Sequence, residues 1–147
     1  MSLDGPYDQA NVFARILRGE LPSVPVYQDD AVLAFMDVFP QSEGHVLVIP
    51  KQGTARNLLE VDPATLALLI AAVQRVAAAV RTALRPDGLM VAQFNGAAAG
   101  QTVDHLHFHV IPRWEGRPMK GHGHGEMADA GTLRALAGRI AAALPPA

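Results

Sequence analysis

The chain has 147 residues, half of them hydrophobic and 18% charged, with a formal net charge of −2 and no cysteine. That is the length and composition of one globular domain with material for a real core, which excludes an intrinsically disordered chain. The slightly acidic balance gives no electrostatic case for duplex nucleic acid or an anionic membrane, and the absence of cysteine excludes a disulfide framework and a thiolate metal site.

The opening residues Met1-Ser2-Leu3-Asp4-Gly5-Pro6 have neither the basic start nor the apolar stretch of a signal peptide. The longest apolar run, Leu66 to Val73, is too short to span a bilayer. A cytoplasmic protein is therefore expected, with residues 1–10 as a partly disordered N-terminal extension. Asn11 is placed to cap a short helix through Val12, Phe13, Ile16 and Leu17, ended by Gly19. The apolar residues of that helix recur at helical spacing, as a core-facing stripe does. Val24 to Tyr27 and Val32 to Phe35 read as two strands of a hairpin around the polar turn Gln28-Asp29-Asp30. Asp37 to Gly44 reads as a loop, and His45 to Ile49 as a strand buried on both faces and ended by Pro50.

Residues 53–60 have room for one or two helical turns. Asp62-Pro63 then predicts the start of the longest helix, an N-cap followed by proline at the first helical position, and Arg85-Pro86-Asp87-Gly88 predicts its end. Leu89 to Phe94 reads as a strand, Asn95 to Gly100 as a small-residue loop, and Val103 to Pro112 as the last central strand. A Gly-, His- and Met-rich stretch follows Trp114, with His122 and His124 read as surface residues. Thr132 to Leu144 closes the chain as an amphipathic helix. The expected class is α+β, an antiparallel sheet with one long and several short helices.

The segment that carries chemistry is His105-Leu106-His107-Phe108-His109. On a strand, alternate side chains share a face, so the three imidazoles would line up roughly 6.5–7 Å apart while Leu106, Phe108 and Val110 enter the core. A lone strand histidine is usually structural; three in alternation do not follow from packing. Two chemistries fit. His-x-His can place two nitrogens on a zinc ion, with His45 as a further ligand. Alternatively, a largely neutral imidazole can attack phosphorus and be expelled again. The loop Gly100-Gln101-Thr102 just upstream offers close backbone approach, amide donors and a hydroxyl for phosphoryl oxygens.

The row His105-Leu106-His107-Phe108-His109-Val110-Ile111 resembles the signature of the histidine-triad (HIT) family at every position. Asn11 to Ile16, Leu33 to Asp37 and Pro40 to Lys51 are similar to further blocks of the family, in order. The Ile111-Pro112-Arg113-Trp114 ending and the C-terminal helix look like bacterial HIT hydrolases of the Hint/Fhit group. The resemblance implies a HIT domain over residues 11–115, with 116–147 a flexible segment and a helix packed on it.

It further implies that His107 is the nucleophile, forming a nucleotidyl-histidine and releasing a nucleoside monophosphate such as AMP. His109 would contact the phosphate, with His105 and His45 supporting and orienting the nucleophile. Gln101 and Thr102, with Gly100, would line the phosphate side. Asp37 would bind the ribose hydroxyls, since a carboxylate can accept from two at once. Val12, Phe13, Ile16, Phe35 and Val38 would form the base slot. Family members are commonly homodimers, which here would pair residues 62–94 across a two-fold axis.

The chain departs from the family in two places. Where some relatives carry two zinc-binding cysteines, Asn11 and Ala14 stand, so no structural zinc and no cofactor are expected. Where relatives often place a phosphate-contacting Asn, Phe94 stands, and Asn95, which follows it, would take that phosphate contact if the loop shifts. Two other readings share the fold: a metalloenzyme built on the His row and His45, and a purine-nucleotide-binding regulatory module with negligible turnover.

Overall fold

The computed structural model describes residues 3–121 and 126–146. Its elements in chain order are α1 (Val12–Leu17), β1 (Pro25–Gln28), β2 (Val32–Met36), β3 (Val46–Pro50), α2 (Pro63–Leu84), β4 (Gly88–Ala92), β5 (Phe108–Arg113) and α3 (Ala130–Ala142). The five strands form one antiparallel sheet in the order β1-β2-β3-β5-β4. This is the α+β class expected from the sequence.

Strand alternation divides the sheet into two faces. Val32, Ala34 and Met36 of β2, Val46 and Val48 of β3, and Phe108 and Val110 of β5 enter the main core with α2 and α3. Helix α2 contributes Leu69, Val73, Val76 and Val80, and α3 contributes Leu133, Leu136 and Ile140, both at helical spacing. The opposite residues, Leu33 and Phe35 of β2 and Leu47 and Ile49 of β3, pack with Phe13 of α1 in a second cluster. Phe35, Leu47 and His109 stand in one cross-strand row, so the last histidine enters on the α1 face.

The helix punctuation follows local chemistry. Asn11 accepts from Ala14 N at the head of α1 and Asp62 from Thr65 N at the head of α2. Asp129, which the sequence reading did not pick out, caps α3 through Thr132 N. By length and composition α2 is apolar enough to cross a membrane, a test that a core helix also meets. Here its Leu69–Val80 stripe is buried against the sheet.

Three expectations need correction. Residues 53–60 form turns rather than helix. Asn95 to Gly100 contains a short 3₁₀ turn, Ala97–Ala99. Most consequentially, the last strand begins at Phe108, not Val103. In register, β3 would present Pro50 opposite Leu106, and proline has no N–H to continue the ladder. Leu106 N donates to Ala55 O instead. Of the three histidines, only His109 lies in the sheet; His105 and His107 lie in the segment leading into it.

Candidate functional site

A cleft of about 400 Å³ opens on the α1 face, within the usual range for small-molecule sites. Its apolar wall includes Val12, Phe13 and Ile16 from α1 and Phe35 and Val38 from β2 and the loop after it. All five residues of the expected base slot thus meet in one place. The helical stripe is shared between core and cleft: Phe13 is buried, while Val12 is 40% exposed. Asp37, Thr102, His107 and His109 bring polar atoms to the same wall.

The hydrogen bonds determine which ring nitrogen carries each proton. His107 Nδ1 lies 2.7 Å from the carbonyl oxygen of His105. A carbonyl only accepts, so His107 Nδ1 is the donor and Nε2 holds the lone pair of the neutral ring. Because the ladder stops at Phe108, the His105 carbonyl is not committed to a sheet bond and is available for this contact. Phe13 stands edge-on to the His107 ring, with centroids 5.0 Å apart.

A second chain of contacts runs behind His109. Gln41 N donates to His45 Nδ1 at 3.1 Å. His45 Nε2 therefore carries the proton and donates to His109 Nδ1 at 2.9 Å. That leaves His109 as the Nε2–H tautomer, a hydrogen-bond donor whose ring is 5.1 Å from that of His107. Asp37 lies 3.6 Å from His45 Nε2 and accepts from Phe39 N. Burial pushes the Asp37 carboxyl up from 3.8 to about 6, partly opposed by the Phe39 N–H. His45 needs its strand entry fixed, and Gly44 does so at φ +90°; a Cβ there would collide with the Leu84 side chain.

His105 is buried away from the cleft. Its Nε2 donates to Pro50 O at 3.2 Å, and its Nδ1 accepts from the Tyr7 hydroxyl at 2.6 Å. Desolvation holds its pKa below the ordinary histidine value, against a smaller opposing effect of the Pro50 contact, so the ring stays neutral.

The expected phosphate loop is brought only partly to the site. Thr102 lines the cleft, but Gln101, Gly100 and Asn95 do not. Gln101 is buried, accepts from Gly96 N, and spends both amide hydrogens on the carbonyls of Arg56 and Val103. Asn95 accepts from Leu58 N and from Gln93 Nε2. Both brace the loop. Phe94, which replaces the expected phosphate-contacting Asn, lies against the His109 ring at 5.4 Å.

The sequence reading missed Leu47, Val103, Phe39, Met127 and Tyr7. Leu47 was within reach, because β-register sets it beside Phe35 and His109. Met127 reaches the cleft because Ala128 N donates to Val38 O, a contact with no periodic signature. The His122 and His124 pair lies outside the described residues. Asp37, His45 and His109 place one potential ligand atom each within 4.8 Å of one another, a candidate metal cluster among the described residues. In the neutral arrangement, however, the facing nitrogens of His45 and His109 bond to each other.

Residues 18–116 match the family model described as HIT domain. The chain belongs to the HIT family. A crystal structure of a HIT-like protein from Bartonella henselae, described as involved in cell-cycle regulation and containing an unknown ligand, is 51% identical. It superimposes with a TM-score of 0.89 over 95% of this chain and 100% of that one. Adenylylsulfatase HINT3 of Arabidopsis thaliana is 40% identical over 104 residues, 71% of this chain and 52% of that protein. Adenosine 5'-monophosphoramidase hnt1 of Schizosaccharomyces pombe is 38% identical over 102 residues, 69% of this chain and 73% of that protein. Some HIT relatives of this chain are thus named as nucleotide hydrolases.

Proposed function

We propose that this HIT protein is a nucleotide hydrolase or transferase acting on nucleoside phosphoramidates, dinucleoside polyphosphates or related adenylated compounds. His107 Nε2 attacks the α-phosphorus, the leaving group departs with a proton, and a nucleotidyl-His107 intermediate forms. Water then cleaves the phosphorus–nitrogen bond, releasing AMP and restoring the imidazole. The observation that carries this reading is the 2.7 Å contact from His107 Nδ1 to the His105 carbonyl. It supports a lone pair on Nε2 at the cleft, and it strengthens as the ring becomes cationic during attack.

The remaining roles follow from position. His109, held as a donor by His45, contacts the phosphoryl oxygens, joined by the Thr102 hydroxyl. Asp37 accepts from the ribose hydroxyls, and the slot of Val12, Phe13, Ile16, Phe35 and Val38 takes the base. Gln101, Gly100 and Asn95 act at one remove, by shaping the loop that presents Thr102. Turnover needs no metal, because imidazole supplies the nucleophile. The protein works as a homodimer joined through α2 and β4, without nucleic acid or membrane partners.

Nucleotide release tests this directly. An adenosine phosphoramidate, a diadenosine polyphosphate and ADP are incubated in chelator with wild type and His107→Ala, and products are separated by chromatography. AMP release that falls by at least about 10⁴-fold in the variant is the expected result. Bound AMP with no turnover of any substrate would leave a regulatory binding module and overturn the proposal. Activity lost in chelator and restored by zinc would move the chemistry to the Asp37, His45 and His109 cluster.

A further inference from the structure

Residues 3–10 precede every regular element, yet they are tied to the rear of the site. The Leu3 carbonyl accepts from Arg56 Nη2 at 2.7 Å and from Asn57 Nδ2 at 3.1 Å. Four residues on, the Tyr7 hydroxyl reaches His105 Nδ1 at 2.6 Å, joining positions 98 residues apart. Tyr7 is the one residue of 3–10 that is half-buried; its neighbours in that segment are exposed. Its ring meets the imidazole at a tilt, with centroids 5.8 Å apart, so the hydroxyl makes the close contact.

The proton assignments make that contact directional. Pro50 O can only accept, so His105 Nε2 carries the hydrogen, and Nδ1 presents a lone pair to the tyrosine O–H. Both ring nitrogens of a buried imidazole are thereby satisfied, and its rotation is opposed from two sides. The backbone carbonyl of the same residue receives His107 Nδ1–H. We propose that Tyr7 is a positioning residue for His107: by bonding to the His105 ring it holds the carbonyl that orients the nucleophile. The N-terminal segment is then a strap on the catalytic row.

This inference rests on the reading of His107 as nucleophile, and its test separates the two. Removing only the hydroxyl, in Tyr7→Phe, keeps the ring but leaves His105 Nδ1 without its donor. The imidazole then shifts or rotates, and His107 loses its fixed direction. The expected result is a kcat lowered about five- to thirty-fold, less than the ~100-fold that a 1 Å misplacement can cost. KM and AMP affinity stay within about twofold, because Tyr7 does not line the cleft. In ¹⁵N-histidine NMR of the whole protein, the His105 Nδ1 resonance moves and the His107 Nδ1–H signal broadens.

An unchanged kcat with unchanged His105 and His107 resonances would overturn the inference. So would a loss confined to KM, or one that tracks the unfolded fraction while the folded molecules keep wild-type resonances. If His107→Ala retains activity, the nucleophile reading fails, and the resonances of Tyr7→Phe still decide whether Tyr7 holds the row.

Discussion

The two faces of the sheet are built from the same strands but held together by different forces. On the helical face, α2 and α3 lay stripes of Leu, Val and Ile onto Val32, Val46, Val48 and Val110, and contacts are apolar and mutually replaceable. On the α1 face, a small apolar cluster shares its space with histidines held by single hydrogen bonds to backbone groups and to one another. Damage to the first should cost stability, and damage to the second should cost chemistry. Leu69→Ala is the strongest test on the helical side, since Leu69 is fully buried in the second turn of α2. A loss of about 2–5 kcal/mol is expected in urea unfolding, from lost burial plus the cavity left behind. Turnover per folded molecule should hold. A parallel drop in kcat under conditions where the variant is folded would show that the two faces are not separable.

Asp37 tests the other face through pH. Its carboxyl is raised by burial to about 6 from an ordinary 3.8. Between those values the folded protein keeps a proton that the unfolded chain gives up, so stability falls as pH rises from about 4 to about 6 and stays lowered above. Asn at this position stays neutral and can still accept from Phe39 N. Asp37→Asn should therefore be more stable than wild type at pH 7.5 by on the order of 3 kcal/mol, while the two converge near pH 4. Binding of the nucleotide should weaken in the same variant, because a carboxylate accepts from two ribose hydroxyls more strongly than an amide. A stability gain of equal size at both pH values would refute the buried-charge account.

How much of each face could be read in advance follows the same division. The bounds of α2 were legible because Asp62-Pro63 and Arg85-Pro86 are local signals, and the buried stripe repeats at helical period. Helical periodicity made the Val12, Phe13 and Ile16 stripe legible as an apolar face, but only the resemblance to the HIT family set it with Phe35 and Val38 around a cleft. Alternation also put Leu106, Phe108 and Val110 in the core correctly, although it extended the strand too far. That error arose because the ladder ends at a partner, Pro50, which a reading along one strand does not consult. Tyr7, the braced amide of Gln101, and the docking of Ala128 on Val38 were illegible for a related reason. Each is a single long-range hydrogen bond between residues that share no period. Local pattern determines elements; it does not say which loop will lend a hydroxyl to which ring.

Around α2 and β4 the molecule also carries apolar surface that neither core uses. Leu68 and Ile70 on α2 are 54% and 47% exposed, and Met90 and Val91 on β4 are 38% and 50% exposed. Strand β4 is an edge of the sheet, so one row of its backbone groups lies open to pairing. These features together suit a two-fold partner joined along α2 and β4, the region where a homodimer is proposed. Val91→Lys places a charge on that edge without touching either core. Its effect on the stability of the single chain should be the smallest of the three, within about 0.5 kcal/mol. Sedimentation is where it should register: wild type at twice the chain mass, the variant at once. If wild type itself sediments as one chain, the dimer is wrong.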